Sequence, residues 1–343
     1  MQFIPYSLYP LLVKPLIFCM DPEKAHDTLI NSAALISQKN LTSIFKQEVA
    51  NSPVEIMGLK FKNPVGLAAG LDKNAEAIDF FGSLGFGFIE VGTVTPKAQD
   101  GNEKPRMFRI KDAEGIINRM GFNNKGVDNL VENLKTANYD GIIGVSIGKN
   151  ETTPVENALS DYLECMQKVY QYADYIAINV SCPNTPNLTK LQAKEPLVNL
   201  LKPLKQEQKK LQEKYDKYVP LVVKISPDLD DEALENICSV CMELKMDGMT
   251  CTNTTVSRQM VHALDHANEW GGLSGQPLRE LGNRVLKKVH ELTDGKMPLI
   301  GVGGVTDAIS AREKFANGAS LIQLYSSLIY RGPVVIKKII AAL

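Results

Sequence analysis

Histidine is scarce in this chain. Its four copies (His26, His262, His266 and His290) match no metal-ligand spacing, so no zinc-type site is expected. Charge of one sign is lacking too: 38 basic residues stand against 39 acidic ones, for a net charge of -1, which excludes the basic excess of a nucleic-acid binder. The six cysteines (Cys19, Cys165, Cys182, Cys238, Cys241, Cys251) form no paired framework, and a 343-residue chain has core enough to need no stapling, so a reducing compartment is expected. Cys238 and Cys241 make the one close pair. Their setting, DEALENICSVCMELK, has the apolar spacing of an amphipathic helix, which favours packing over redox or metal chemistry. Long apolar runs are missing as well. The opening MQFIPYSLYPLLVKPLIFCM is interrupted by three prolines and Lys14, short of the ~20 residues a spanning helix needs, and it lacks the basic start and small-residue cleavage site of a secretory signal.

What is present is a regular alternation. After the opening segment, Asp21 and Pro22 have the N-cap and first-turn pattern of a helix running through DPEKAHDTLINSAALISQKN, so residues 1–45 are read as a two-helix extension. Its exposed apolar faces leave two readings open, a cap packed on the main domain or a surface lying in a membrane interface. VEIMGLKFKNP reads as a small hairpin. Eight apolar runs follow: 65–69, 86–92, 141–148, 175–181, 220–226, 247–253, 298–304 and 320–326. Each is nearly continuous in apolar residues, as strands buried on both faces must be, and helical stretches such as SDYLECMQKVYQY lie between them. The fold class is therefore α/β: a (β/α)8 TIM barrel over residues 46–343 preceded by the extension, with no disordered linker or shorter repeat.

In such a barrel the chemistry collects at the C-terminal ends of the strands. Gly301–Gly304 follows the seventh strand, where glycine serves either a tight turn or the close approach of backbone N–H groups to a phosphate, with a helix N-terminus behind it. GGLSGQP (271–277) is a further glycine-rich element before a helix starting near Pro277. Lys73 and Lys224 sit at strand ends facing the mouth, either in structural ion pairs or against a ligand such as a flavin, whose reduced ring carries negative charge. Asn118, Asn179, Asn184 and Asn253 occupy comparable positions and together suit a flat ligand with amide-like edges. The fourth strand runs into NVSCPNTPNL, which holds Cys182 in a proline-turned loop between Asn179 and Asn184.

AAGLDKN, IEVGTVTP, INRMGFNNKG, INVSCPNTPNL, CTNTT, GGLSGQP, GVGG and LYS resemble, in order and spacing, the dihydroorotate dehydrogenase family. DPEKAH in the extension and KPRMFR at 104–109 look like its class 2, quinone-linked branch. The resemblance implies oxidation of dihydroorotate to orotate in pyrimidine synthesis, with flavin mononucleotide (FMN) as hydride acceptor and a membrane quinone as final acceptor. It implies flavin contacts at Ala69, Gly70, Leu71, Asp72, Lys73, Thr93, Ser146, Asn179, Lys224, Thr252, Gly275, Gly304, Tyr325 and Ser326. Substrate contacts would be Lys73, Asn118, Arg119, Met120, Gly121, Phe122, Asn179, Asn184, Asn253 and Thr254, and His26, Arg109 and Tyr325 would line a quinone tunnel.

With this resemblance the extension is expected to act at the membrane, on the cytoplasmic face of the inner (cell) membrane, in a monomeric peripheral protein. Cys182 would be the base that removes the C5 proton, with Thr185 and the rest of its loop as a lid. Two departures stand out: Ser146 replaces the family's usual asparagine, and class 2 relatives use serine where this chain has Cys182, the class 1 choice. A class 1 type enzyme with a soluble acceptor, or another FMN barrel oxidoreductase, is the alternative.

Overall fold

A computed structural model describes residues 6–185 and 187–343. The first five residues of the extension, and Pro186 in the Cys182 loop, lie outside the described residues. Each of the eight expected runs contains a strand: Val65–Leu67 (β1), Phe88–Val94 (β2), Ile142–Ile147 (β3), Tyr175–Asn179 (β4), Leu221–Ile225 (β5), Gly248–Cys251 (β6), Leu299–Val302 (β7) and Leu321–Leu324 (β8). They close into a parallel barrel, with β8 pairing β1 through Ile322 and Val65. Nearly every strand residue is buried, which is why these stretches lack the polar alternation of a half-exposed sheet. Seven of the strands are shorter than their apolar runs because the ladder stops where the chain turns outward, and β2 instead runs two residues past its expected end, to Val94.

Helices Ala158–Val169 and Asp231–Glu243 are crossovers packed on the barrel, and Cys238 and Cys241 are buried free thiols on the core face of the second. The hairpin Val54–Ile56 with Leu59–Phe61 directs Phe61 edge-on against Phe88, 5.2 Å between ring centroids, among side chains that fill the barrel interior.

The extension forms α1 (Tyr9–Cys19) and α2 (Pro22–Gln38). Asp21 caps α2, accepting from the N–H groups of Glu23 at 3.1 Å and Lys24 at 3.0 Å, as the Asp-Pro pattern requires. Glu23 holds α2 down: its carboxylate accepts from Arg106 Nη2 at 2.8 Å and Nε at 3.1 Å, with both side chains buried. Among the described residues no helix is long and apolar enough to cross a membrane.

One element was not expected. Met107–Ile110, Gly115–Asn118 and Gly272–Gly275 form a three-stranded antiparallel sheet outside the barrel, with Asn118 opposite both Met107 and Gly272. Two of its strands carry glycine and the third an arginine, so neither period nor composition marks them. The first two pair as a local hairpin, and the third joins them because the barrel brings residues 118 and 272 together.

Candidate active site

The mouth of the barrel holds a cavity built from the strand ends. All four predicted asparagines line it, with Lys73, Lys224, Thr93, Cys182, Thr252 and Thr254. They are held to one another before any ligand is considered. Asn179 Nδ2 donates to Thr93 Oγ1 at 2.9 Å, Asn253 Nδ2 donates to Asn179 Oδ1 at 3.2 Å, and Asn184 Nδ2 donates to the Asn118 carbonyl at 2.9 Å. One set joins Thr93 of β2, Asn179 of β4 and Asn253 after β6, and a second joins Asn184 to Asn118 of the small sheet, so residues distant in sequence are fixed around one polar ring.

Some acceptors in the ring are left free. The side-chain oxygens Asn184 Oδ1, Gln323 Oε1 and Ser327 Oγ are buried without a hydrogen-bond partner among the described residues, and all three side chains belong to the cavity wall. An unpaired buried polar atom costs about 1–3 kcal/mol, so these mark where a polar ligand would be received. Lys224 lies 3.8 Å from the buried carboxylate of Glu90, too far for a good hydrogen bond. Glu90 is committed instead to Tyr175 and Gln323, each donating to its Oε2 at 2.8 Å. The Lys224 ammonium is thus balanced from below and available from above.

The glycine turn after β7 lines the same cavity, with φ of 93° at Gly303 and 74° at Gly304. A Cβ on Gly304 would collide with the backbone of Arg279, so a bare backbone is required there. Carboxamides, an available ammonium, free acceptors and a glycine turn form a donor set that fits a flavin with a phosphate. The helix expected to face that phosphate, Ala308–Ala316, is closed at its N-terminus by its own capping box between Asp307 and Ser310.

Cys182 sits in the loop after β4 with its thiol in the cavity wall and the side chain buried. Burial pushes the thiol above its ordinary pKa; the Asn184 and Thr185 groups beside it and the Lys224 charge offset this in part. Lys73 is pulled the other way, down to about 8, by burial and by the neighbouring Arg106 charge, with Asp27, Glu23 and Asp72 opposing.

Ala69, Gly70, Thr93, Asn179, Lys224, Thr252, Gly275, Gly304, Tyr325 and Ser326 line the cavity, as do Met120, Gly121 and Phe122. Four expected positions, Leu71, Asp72, Ser146 and Arg119, lie outside this wall. Leu71 lines a second cavity instead. Asp72 is fully buried and turned into its own loop, accepting from the N–H groups of Glu76 at 2.9 Å and Ala77 at 2.8 Å, because the turn after β1 needs those donors satisfied. Ser146 stands behind the wall, within 2.9 Å of Thr93 Oγ1, and reaches the cavity only through that hydroxyl. The Arg119 guanidinium points away, paired with Glu269 at 2.7 Å and stacked over Phe108 and Trp270. Sequence reasoning passed over Gln323, Ser274 and Ser327, which also line the wall. Gln323 carried a signal, as the lone polar side chain inside the apolar strand LIQL.

The second cavity, about 360 Å³, is apolar and lies between the extension and the barrel. Tyr9, Val13 and Ile17 of α1 line it, with Ala25, His26 and Leu29 of α2 and Phe80 and Arg109 of the main body. Arg109 donates to the carbonyls of Met20 at 2.9 Å and Ile17 at 3.1 Å, neutralising the C-terminal end of α1. Burial, reinforced by the Lys73 charge, pulls the pKa of His26 well below its ordinary value, so its ring is neutral. Tyr325 lines both cavities and forms their common wall.

The sequence profile of the Dihydroorotate dehydrogenase family matches residues 52–343. The "Dihydroorotate dehydrogenase (quinone)" of Aliivibrio fischeri (strain MJ11) is 55% identical over 324 residues, covering 94% of this chain and 96% of its own. That of Baumannia cicadellinicola is 54% identical over 336 residues, covering 98% of this chain and 100% of its own. Among solved structures, that of the Eimeria tenella enzyme in complex with ferulenol superimposes with a TM-score of 0.86 at 36% identity, covering 98% of this chain and 92% of that one. Barrel, mouth residues, extension and full-length similarity agree, and the chain belongs to the dihydroorotate dehydrogenase family, beside its quinone-type members.

Proposed function

We propose that this chain oxidises dihydroorotate to orotate in pyrimidine synthesis, with FMN as its flavin and a membrane quinone as final acceptor. The observation that carries the reading is the pair of cavities: a polar one ringed by carboxamides and lysines, and an apolar one under the extension, with Tyr325 between them. The family is flavin-dependent. Thr93, Asn179, Lys224, Gly303, Gly304 and Ser326 would hold the FMN. Bound there, it would take the hydride from C6 of the substrate and pass the electrons on to the quinone.

The protein's own part is orientation and one proton. Asn118, Asn179, Asn184 and Asn253 present donors and acceptors to the amide edges of the substrate, and Lys73 offers a cation to its carboxylate. Cys182 Sγ takes the proton from C5. The loop carrying Cys182 and Thr185 covers the substrate and excludes water.

Residues 1–45 form the quinone entrance and the barrel over 46–343 does the chemistry. Leu11 and Leu16 of α1, 73% and 71% exposed, support a peripheral attachment by which a monomer sits on the cytoplasmic face of the inner membrane. Cys182 favours a second reading, in which a soluble acceptor serves as in class 1 enzymes. A steady-state assay of dihydroorotate oxidation with a ubiquinone, fumarate and a nicotinamide as competing acceptors separates the two. Quinone is expected to give the fastest turnover, and preference for fumarate or nicotinamide would refute the quinone assignment.

A further inference from the structure

Lys314, on helix Ala308–Ala316, is 0% exposed and has no hydrogen-bond partner for its Nζ among the described residues. Lys149, 2% exposed, is treated differently. Lys149 Nζ donates to the carbonyls of Asn150 at 3.1 Å and Thr153 at 2.9 Å. A buried ammonium with no acceptor is costly, and nothing in the catalytic scheme uses it.

Its position gives it a task. A Cβ placed on Gly282 would meet Lys314 Nζ at 3.0 Å, the Val302 carbonyl oxygen at 3.5 Å and the Gly303 carbonyl oxygen at 3.9 Å, so ammonium and carbonyls flank one point. Those carbonyls belong to the two peptides whose other ends are the N–H groups of Gly303 and Gly304. In a trans peptide the C=O and N–H bonds point to opposite sides and their dipoles add, so a cation on the carbonyl side leaves the N–H side facing away from it. Neither N–H has a backbone acceptor among the described residues, and both glycines line the active-site cavity. At the N-terminus of Ala308–Ala316 the Asp307 carboxylate already accepts from Ser310 N–H, which offsets part of that helix's positive potential.

We propose that Lys314 is a positioning residue for the phosphate monoester of the cofactor, standing behind the Gly303–Gly304 turn and adding its charge to the donors that face the anion. The inference rests on the FMN reading above. The groups facing the ammonium are Glu313 on its own helix, Cys251 at the end of β6 and Arg279 on the adjoining helix. Glu313 is committed to Arg279 Nε at 2.7 Å and to Asn283 at 3.2 Å, so it does not neutralise Lys314 directly.

Burial pulls Lys314 down to about 8 when no anion is present, with Arg279 pushing the same way and Cys251 and Glu313 opposing. Anion binding favours the charged form and raises this value. Affinity for the phosphate should therefore be full at neutral pH and fall as pH rises past about 8.

The test is the rate of FMN release from the purified holoenzyme, followed by the return of flavin fluorescence, for the parent, Lys314→Met and Lys314→Arg. Lys314→Met should release FMN about tenfold faster near pH 7, as expected for loss of a charged contact, and Lys314→Arg should restore retention. Release from the parent should be slow near pH 7 and quicken as pH rises above about 8, while that of Lys314→Met stays flat. A purely structural role would speed release without removing the pH dependence. Parent-like release from Lys314→Met, or a pH-independent parent, would overturn the inference while leaving FMN as cofactor. A parent purified without FMN would overturn the cofactor reading and this inference with it.

Discussion

At the scale of the residue, Cys182 combines a class 1 side chain with a quinone-type chain, and its surroundings give that combination measurable consequences. Burial holds the thiol above its ordinary range, so the thiolate proposed as base is scarce at neutral pH and grows as pH rises. Reduction of the bound flavin by dihydroorotate is expected to accelerate steadily from neutral into alkaline pH in the parent. Cys182→Ala should lose about 10²–10⁴-fold in that single-turnover rate, the usual share of a general base. Flavin reduction at the parent rate in Cys182→Ala would remove Cys182 from the mechanism. The type of residue and its proline-turned loop were legible from NVSCPN, but the direction of its pKa was not. That depends on packing by segments far away in the chain.

At the scale of the element, the buried Glu23–Arg106 pair fastens the first turn of α2. Burial alone would raise the pKa of Glu23, but the hydrogen bonds from Arg106 and Lys104 outweigh it and hold the carboxyl below its ordinary value. A depressed carboxylate contributes stability that is present above its unfolded pKa of about 4.3 and lost as pH falls through the folded value.

Glu23→Gln should therefore destabilise α2 at neutral pH and cost little in acid. The neutral-pH cost should be about 3 kcal/mol, the low end for breaking a buried pair. The low end applies because Arg106 keeps the carbonyls of Asp100 at 2.6 Å and Asn102 at 2.7 Å. Hydrogen exchange of residues 22–38 reports the change, and unaltered protection would show that the bridge does not hold the helix. The helix itself was legible from Asp21-Pro22 and the apolar spacing. The anchor was not, because Arg106 lies 83 positions away and sits in a stretch whose strand has no readable pattern.

At the scale of the whole molecule, the two cavities have opposite chemistry on either side of Tyr325, and the apolar one is walled by the same helix that exposes Leu11 and Leu16. If that surface is the membrane contact, Leu11→Glu with Leu16→Glu should abolish co-sedimentation with lipid vesicles. Each leucine contributes about 1.5–3 kcal/mol when buried, so losing two lowers partitioning by about 100-fold or more. Turnover with vesicle-borne quinone should fall in parallel, while flavin reduction by dihydroorotate stays at the parent rate. Undiminished vesicle binding by the double variant would place the contact elsewhere.

Local chemistry decides what a sequence can announce by itself. Eight buried strands must be nearly all apolar, a helix needs its cap, and a catalytic loop needs its turn residues, so barrel, extension and most of the mouth could be read from the order of residues. Tertiary structure decided which side chains face inward. It turned Asp72 into its own loop, Arg119 onto Trp270 and Ser146 behind Thr93, and it brought Gln323 and Ser327 to the wall. It also placed behind the glycine turn a lysine, Lys314, with no hydrogen-bond partner among the described residues. Direction and distance are set where strands and helices from distant parts of the chain meet, and a side chain finds its partner, or lacks one, only after the barrel has closed.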